Sequence, residues 1–165
     1  MSKMSRIGLP GVVAAAALVA AACGSSGGYG AGGSPTTPAS GRSTPATWIS
    51  LASSRLGRVL VDGSGRTLYV FERDIPDTST CYESCASAWP PLVSTGAPVA
   101  DSDVDPAAVG TAMRSNRTAQ VTFHGRPLYL FTGDKQPGDT TGEGLDAFGA
   151  RWYAVGADGA EVTKL

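Results

Sequence analysis

The sequence is poor in the residues from which most catalytic and metal sites are built. One histidine, His124, and three cysteines stand among 165 residues. A single imidazole excludes a multi-histidine metal centre and makes a nucleophile–histidine–carboxylate triad hard to assemble. Charge is scarce at 16% and balanced, with 13 basic residues against 14 acidic ones. That balance excludes a basic surface able to neutralise many phosphates, so nucleic acid is not an expected partner. It equally excludes a chain kept disordered by its own charge. Aromatic residues are few at 7%, and Trp48, Trp89 and Trp152 read as core or corner residues rather than a sugar platform. No apolar run reaches the roughly 20 residues of a membrane-spanning helix. The 22 glycines and 11 prolines exclude long helices and favour short strands joined by turns. No cofactor is expected, and enzymatic activity is the weaker expectation.

The N-terminus has a clear pattern. Lys3 and Arg6 precede an apolar stretch, Gly11–Ala22, that ends at Cys23-Gly24-Ser25. A short basic region, a short apolar region and small residues before a cysteine make a secretion signal. The pattern resembles a bacterial lipobox, with Ala20 where Leu is usual three places before the cysteine. It predicts a signal peptide over 1–22, and acylation of Cys23 that anchors the chain to the lipid bilayer of a bacterial cell membrane on its extracytoplasmic face. Stable anchoring takes more than one acyl chain, which a di- or triacylated cysteine supplies. Residues 23–47 follow, with 19 of 25 being Gly, Ser, Thr or Pro. Such a stretch buries almost nothing and reads as a disordered tether, spanning roughly 25–30 Å as a flexible coil. Trp48-Ile49 marks a shift in composition, so a single β-rich domain is placed over 48–165.

Within that domain the chain repeats itself at an offset of 60 residues. Gly65-Arg66-Thr67-Leu68-Tyr69-Val70-Phe71-Glu72-Arg73-Asp74 matches Gly125-Arg126-Pro127-Leu128-Tyr129-Leu130-Phe131-Thr132-Gly133-Asp134 at six of ten positions. Each copy follows an apolar segment and a short Gly turn, Asp62–Gly65 or His124-Gly125, which is the pattern of a β-hairpin. A degenerate third copy runs from Tyr153 to Asp158. The strand period of two puts Tyr69 and Phe71 on one face and Leu68 and Val70 on the other. Both faces are apolar, so the strand is covered on both sides. A buried tyrosine hydroxyl needs a partner, which the repeated Arg or Asp could supply. The repeated Asp itself reads first as a carboxylate capping backbone N–H groups at the strand end.

The repeated Tyr-x-Phe-x-x-Asp, carried by Tyr69, Phe71, Asp74 and by Tyr129, Phe131, Asp134, resembles the signature of a family of bacterial secreted-repeat lipoproteins of unknown function. Cys81-Tyr82-Glu83-Ser84-Cys85, Trp89-Pro90-Pro91-Leu92, Pro137-Gly138-Asp139 and Trp152-Tyr153 fit its pattern as well. Glu83 departs from it, because family members commonly carry Gly there. The resemblance implies fold and location, and no activity.

Cys81 and Cys85 stand at i, i+4, where Cα atoms on a helical turn lie about 6 Å apart, within the range of a disulfide. In an oxidising compartment the pair is expected to close. The alternative is a copper or thiol redox site of Cys81 and Cys85 with His124 as third ligand, since soft thiolates select Cu(I). Asp101-Ser102-Asp103-Val104-Asp105 starts like a calcium loop but lacks the following Gly and the closing Glu. Asp105-Pro106 reads instead as an N-cap and first residue of a short helix. The acidic loop Gly138–Asp146 reads as solvated. The expected architecture is therefore all-β, a compact domain of antiparallel hairpins, sandwich-like or barrel-like, with one helical turn closed by a disulfide. Strands are expected near 59–61, 67–72, 120–123, 127–132, 151–155 and 161–164. The expected role is a membrane-anchored, non-enzymatic interaction or structural module whose partner is an unidentified envelope protein or small ligand.

Overall fold

A computed structural model describes residues 46–163; the expected signal peptide over 1–22, Cys23 and the expected tether up to residue 45 lie outside the described residues, as do residues 164 and 165. The described residues form ten short strands: β1 (Trp48–Ser54), β2 (Gly57–Asp62), β3 (Tyr69–Phe71), β4 (Val93–Ser94), β5 (Val99–Ala100), β6 (Val109–Met113), β7 (Ala119–Phe123), β8 (Arg126–Pro127), β9 (Asp146–Ala147) and β10 (Ala150–Ala154). One helical turn, α1, covers Ser84–Ala88, and a 3-10 turn covers Pro106–Ala108. The strands make three sheets, ordered β2-β1-β5, β3-β10-β9 and β4-β7-β6, with β8 returning onto β7. No helix among the described residues is long and apolar enough to cross a membrane.

The repeat strands divide two cores, as their period of two requires. Leu68, Val70, Leu128 and Leu130 enter one cluster with Ile49, Leu60, Val121 and Phe123. Tyr69, Phe71, Tyr129 and Phe131 enter the other with Trp89, Trp152 and the two cysteines. Turn chemistry sets the entry to each strand. His124 and Gly125 both have positive φ, the conformation of a tight two-residue hairpin turn between β7 and β8. At the first copy Asp62 closes a longer turn by accepting from the N–H groups of Ser64 and Arg66 and from the Arg66 guanidinium.

Several expectations need correction. The strands near 67–72 and 127–132 are regular only over Tyr69–Phe71 and Arg126–Pro127: the first leaves its hairpin after Leu68 and pairs with β10, and the second leaves β7 to meet the first repeat at Tyr129. Of the strand expected near 161–164, the described residues 161–163 carry one bridge, Glu161 with Val155, and Lys164 lies outside the described residues. The hairpins are antiparallel as expected, and the one parallel pairing among the described strands, β5 on β1, lies outside them. Trp48 is 49% exposed, whereas Trp89 and Trp152 are buried as expected. In the third copy Tyr153 does not take the place of Tyr69. Trp152 lies opposite Phe71 and Ala154 opposite Tyr69, so Tyr153 faces the aliphatic core.

Asp105 caps the 3-10 turn by accepting from Ala107 N–H at 2.9 Å, and Pro106 follows as its first residue. Cys81 and Cys85 form a disulfide with Cα atoms 5.3 Å apart, closing one turn of chain that runs into the start of α1. Glu83 sits between them at φ 51°, ψ −120°, a conformation in which a Cβ clashes and glycine does not. Its carbonyl accepts from the Ser87 N–H and hydroxyl, and any residue at 83 keeps that role. Glu83→Gly should therefore stabilise the domain by about 1 kcal/mol. Glu83→Ala, which keeps the Cβ, should not. Equal midpoints of denaturant unfolding for wild type and Glu83→Gly would contradict the strain.

Candidate functional site

The Tyr-x-Phe-x-x-Asp motifs meet at the centre of the molecule. Tyr69 N–H donates to the Tyr129 carbonyl and Tyr129 N–H to the Tyr69 carbonyl, both at 2.9 Å, so the two repeat strands cross back to back at their tyrosines. Each ring then points away toward the other repeat. The Tyr69 hydroxyl donates to Asp134 Oδ2 at 2.7 Å, and the Tyr129 hydroxyl donates to Asp74 Oδ2 at 2.6 Å. The second oxygen of each carboxylate closes its own loop. Asp74 Oδ1 accepts from Thr80 N–H and Oγ1, and Asp134 Oδ1 accepts from Thr141 N–H and Oγ1. Asp74 and Asp134 thus do both things foreseen for them: they cap a turn and they receive a tyrosine. The repeated arginines do not join them. Arg66 pairs with Asp62 and Arg126 with Glu161.

The exchange extends to the segments around the motifs. Leu92, from the first repeat, donates to the Leu128 carbonyl of the second, while Val155 donates to the Leu68 carbonyl of the first. These segments carry Trp89 and Trp152, which stack on each other with centroids 4.0 Å apart and planes 3° apart. Phe71 stacks on Trp152 and Phe131 on Trp89, each at 4.2 Å, giving a column of four rings with contributions alternating between repeats. Tyr69 meets Trp89 edge-on, and Tyr129 meets Trp152 likewise. Such pairs contribute roughly 0.5–1.5 kcal/mol each beyond their buried area.

Two arginines absent from the sequence reading complete the pattern. Arg55, at the β1–β2 turn, donates to the Thr140 hydroxyl and carbonyl, each at 2.8 Å. Arg114, at the β6–β7 turn, donates to Ser79 Oγ, Gln120 Oε1 and the Cys81 carbonyl, while Tyr82 lies over its guanidinium. The signal for them was an arginine at the first hairpin turn of both repeats, which the ten-residue match did not reach. Arg114 is buried and has no direct carboxylate partner among the described residues; its Nε is unbonded. Ser79 links it to Asp74: Arg114 donates to Ser79, Ser79 to the Tyr129 hydroxyl, and Tyr129 to Asp74. In the second repeat the place of Cys81 falls to Gly142, whose N–H reaches the Tyr69 oxygen. A Cβ at Gly142 would lie 2.7 Å from Trp89, so only glycine admits the column there.

The chemistry available is limited by these commitments. Cys81 and Cys85 are joined to each other, which leaves no thiolate for Cu(I), and His124 sits exposed in the β7–β8 turn against Gly159. No group of three His, Cys, Asp or Glu side chains able to hold a metal occurs among the described residues. In the acidic loop, Asp139 accepts from the N–H groups of Lys135 and Gln136, which hold its carboxyl below the usual range. Glu143 accepts from Ala154 N–H.

Burial first, and then the neighbouring carboxylate, push both motif tyrosines far above the ordinary phenol pKa of 10.0. The folded domain thus retains two protons that the unfolded chain releases near pH 10.0. Stability is fully present below that pH and is lost as the pH rises above it. The slope is up to about 1.4 kcal/mol per pH unit for each tyrosine. In an alkaline titration followed by phenolate absorbance, Tyr69 and Tyr129 should ionise only together with unfolding. Reversible ionisation of every tyrosine in the still-folded domain would contradict the arrangement.

Two segments of the chain, 50–93 and 110–156, match the model of a family described as a secreted repeat of unknown function. Each matched segment holds most of its repeat's first hairpin, β1–β2 or β6–β7, with one Tyr-x-Phe-x-x-Asp motif and the chain that follows it. No curated protein and no solved structure matches the chain. The two matches together cover more than half of the 165 residues, so this chain belongs to that family of secreted repeats.

Proposed function

We propose that the protein is a lipoprotein held on the extracytoplasmic face of the bacterial cell membrane through acylated Cys23, and that its domain acts there as a non-enzymatic interaction or structural module. Membership of a secreted family supports the location, and the lipobox-like sequence before Cys23 supports the anchor. The observation that carries the module reading is the use made of the motif. Both oxygens of Asp74 and Asp134 hold structural donors, and both tyrosine hydroxyls are bound to them. Groups engaged in this way maintain a shape; they are not poised to transfer protons to a substrate. A rigid duplicated domain on a polar tether presents its outer surface to other envelope components.

Removal of the thiol tests the anchor. Cys23→Ala should give either an unprocessed precursor or protein released from the membrane fraction, because no acyl acceptor remains. Mass spectrometry of the wild-type protein should find the N-terminal cysteine carrying acyl chains. A Cys23→Ala protein that is still cleaved and still sediments with membranes would remove the lipoprotein reading.

A further inference from the structure

One patch of the domain is apolar, exposed and free of carboxylates. It holds two hollows that lie across β7, between β6 and the end of β4 with the loop that follows. The first, of about 350 Å³, is lined by the loop Ser94–Pro98 with Gly110, Thr111 and Ala119. The second, of about 400 Å³, shares Ser94, Thr95 and Ala119 with it and adds Val93, Met113, Arg117 and Thr118. Val93 is 46% exposed and Met113 71%. None of the 14 acidic residues lines either hollow, in a chain where acidic residues outnumber basic ones. Arg117 is the one charged residue of the two linings, and it makes no ion pair among the described residues.

The patch lies where the chain enters the domain. Thr47 Oγ1 donates to the Val93 carbonyl at 3.2 Å, and the Thr47 carbonyl accepts from the Val99 N–H at 2.9 Å. Thr47 thus bonds both shoulders of the Ser94–Pro98 loop that walls the hollows. Residues 24–45 stand between Cys23 and the first described residue, Ala46. Even fully extended, those 22 residues reach only about 75 Å. Acylation of Cys23 therefore keeps the entry point near the bilayer, at an effective concentration on the order of millimolar. Under that condition a patch of weak intrinsic affinity for lipid is enough to dock.

We propose that the domain docks on the bilayer through this patch, with Val93 and Met113 at the apolar boundary and Arg117 among anionic lipid headgroups. The inference rests on the lipoprotein reading and names the surface that meets the lipid. The occupant follows from the placement, because the bilayer is the apolar phase to which an acylated Cys23 ties the chain at this end. Linings without carboxylates present nothing that an anionic surface repels. Exposed Val93 and Met113 leave water at the interface, and the guanidinium on its long apolar stem reaches a phosphate beside them.

The test uses the full acylated chain reconstituted into vesicles of phosphatidylethanolamine and phosphatidylglycerol. The Cys23 sulfur carries the lipid and Cys81 is joined to Cys85, so one introduced cysteine alone takes a fluorophore. At Met113→Cys an environment-sensitive label should shift its emission to shorter wavelength and lose intensity to shallow doxyl lipids. At Ile75→Cys, 60% exposed and outside both hollows, it should do neither. Val93→Asp should lower the docked-to-undocked ratio read by the Met113 label about tenfold, since water holds a carboxylate and anionic lipid repels it. Arg117→Gly is compatible with folding, because φ is 65° there. It should lower that ratio about fivefold on these vesicles and leave it unchanged on phosphatidylcholine. Equal quenching at both positions, no quenching at Met113, or quenching untouched by Val93→Asp would overturn the proposal. So would shielding of the Met113 label that rises with the protein-to-lipid ratio, since the occupant would then be a second copy. Flotation separates the two readings. A chain that floats with the vesicles through acylated Cys23 while its Met113 label stays unquenched sinks the docking and leaves the anchor standing. A chain that carries no acyl group and does not float sinks the lipoprotein reading, and the docking with it.

Discussion

A buried phenol must donate its hydrogen bond to something, and in this domain each motif tyrosine donates to the aspartate of the other repeat. That constraint organises the structure. Tyr69 needs Asp134 and Tyr129 needs Asp74, so neither repeat satisfies its own motif tyrosine. The same exchange recurs in the apolar core, where Trp89 and Trp152 stack between Phe131 and Phe71. It recurs again at the hairpin turns, where Arg55 holds the loop of the second repeat and Arg114 that of the first. Polar, aromatic and hairpin-turn contacts all cross between the two repeats.

The repeats differ where their loops differ. Between Asp74 and Trp89 the first has a disulfide-closed helical turn, and its Ser79 carries the line of hydroxyls that joins buried Arg114 to Asp74. A cation left alone in a protein interior is costly, and the hydroxyl chain and the Tyr82 ring offset part of that cost. The second repeat meets the Tyr69 oxygen with the Gly142 N–H instead, and gains room for it by having no side chain there. Two solutions to one requirement identify the requirement as structural. The first strands differ as well: β5 pairs with the outer side of β1, and no strand among the described residues pairs with the outer side of β6.

Much of this was legible from the residues. The 60-residue offset located both hairpins, and the strand period assigned Tyr69 and Phe71 to one face and Leu68 and Val70 to the other, as the two cores confirm. The i, i+4 cysteines gave the disulfide, and Asp105-Pro106 gave the cap. What was not legible depends on partners distant in sequence. β1 and β6 are rich in Ser, Ala and Gly and carry little strand signal of their own; they are strands because β2 and β7 pair with them. Tyr153 matched the motif by letter, yet the register of β10 against β3 sends Trp152 into the aromatic core instead. The partner of each tyrosine could be named only by residue type, because no local signal distinguishes the aspartate five residues on from its copy in the other repeat.

That distinction is the most direct test of the account. Double-mutant cycles on unfolding free energy should be run for Tyr69→Phe with Asp134→Asn and for Tyr129→Phe with Asp74→Asn. Parallel cycles should pair each tyrosine with the aspartate of its own repeat. The two crossed pairs should show coupling of roughly 1–3 kcal/mol, as expected for a buried hydrogen bond to a charged group, and the two within-repeat pairs should be close to additive. Coupling within the repeats, with additivity across them, would contradict the exchange on which the structure depends.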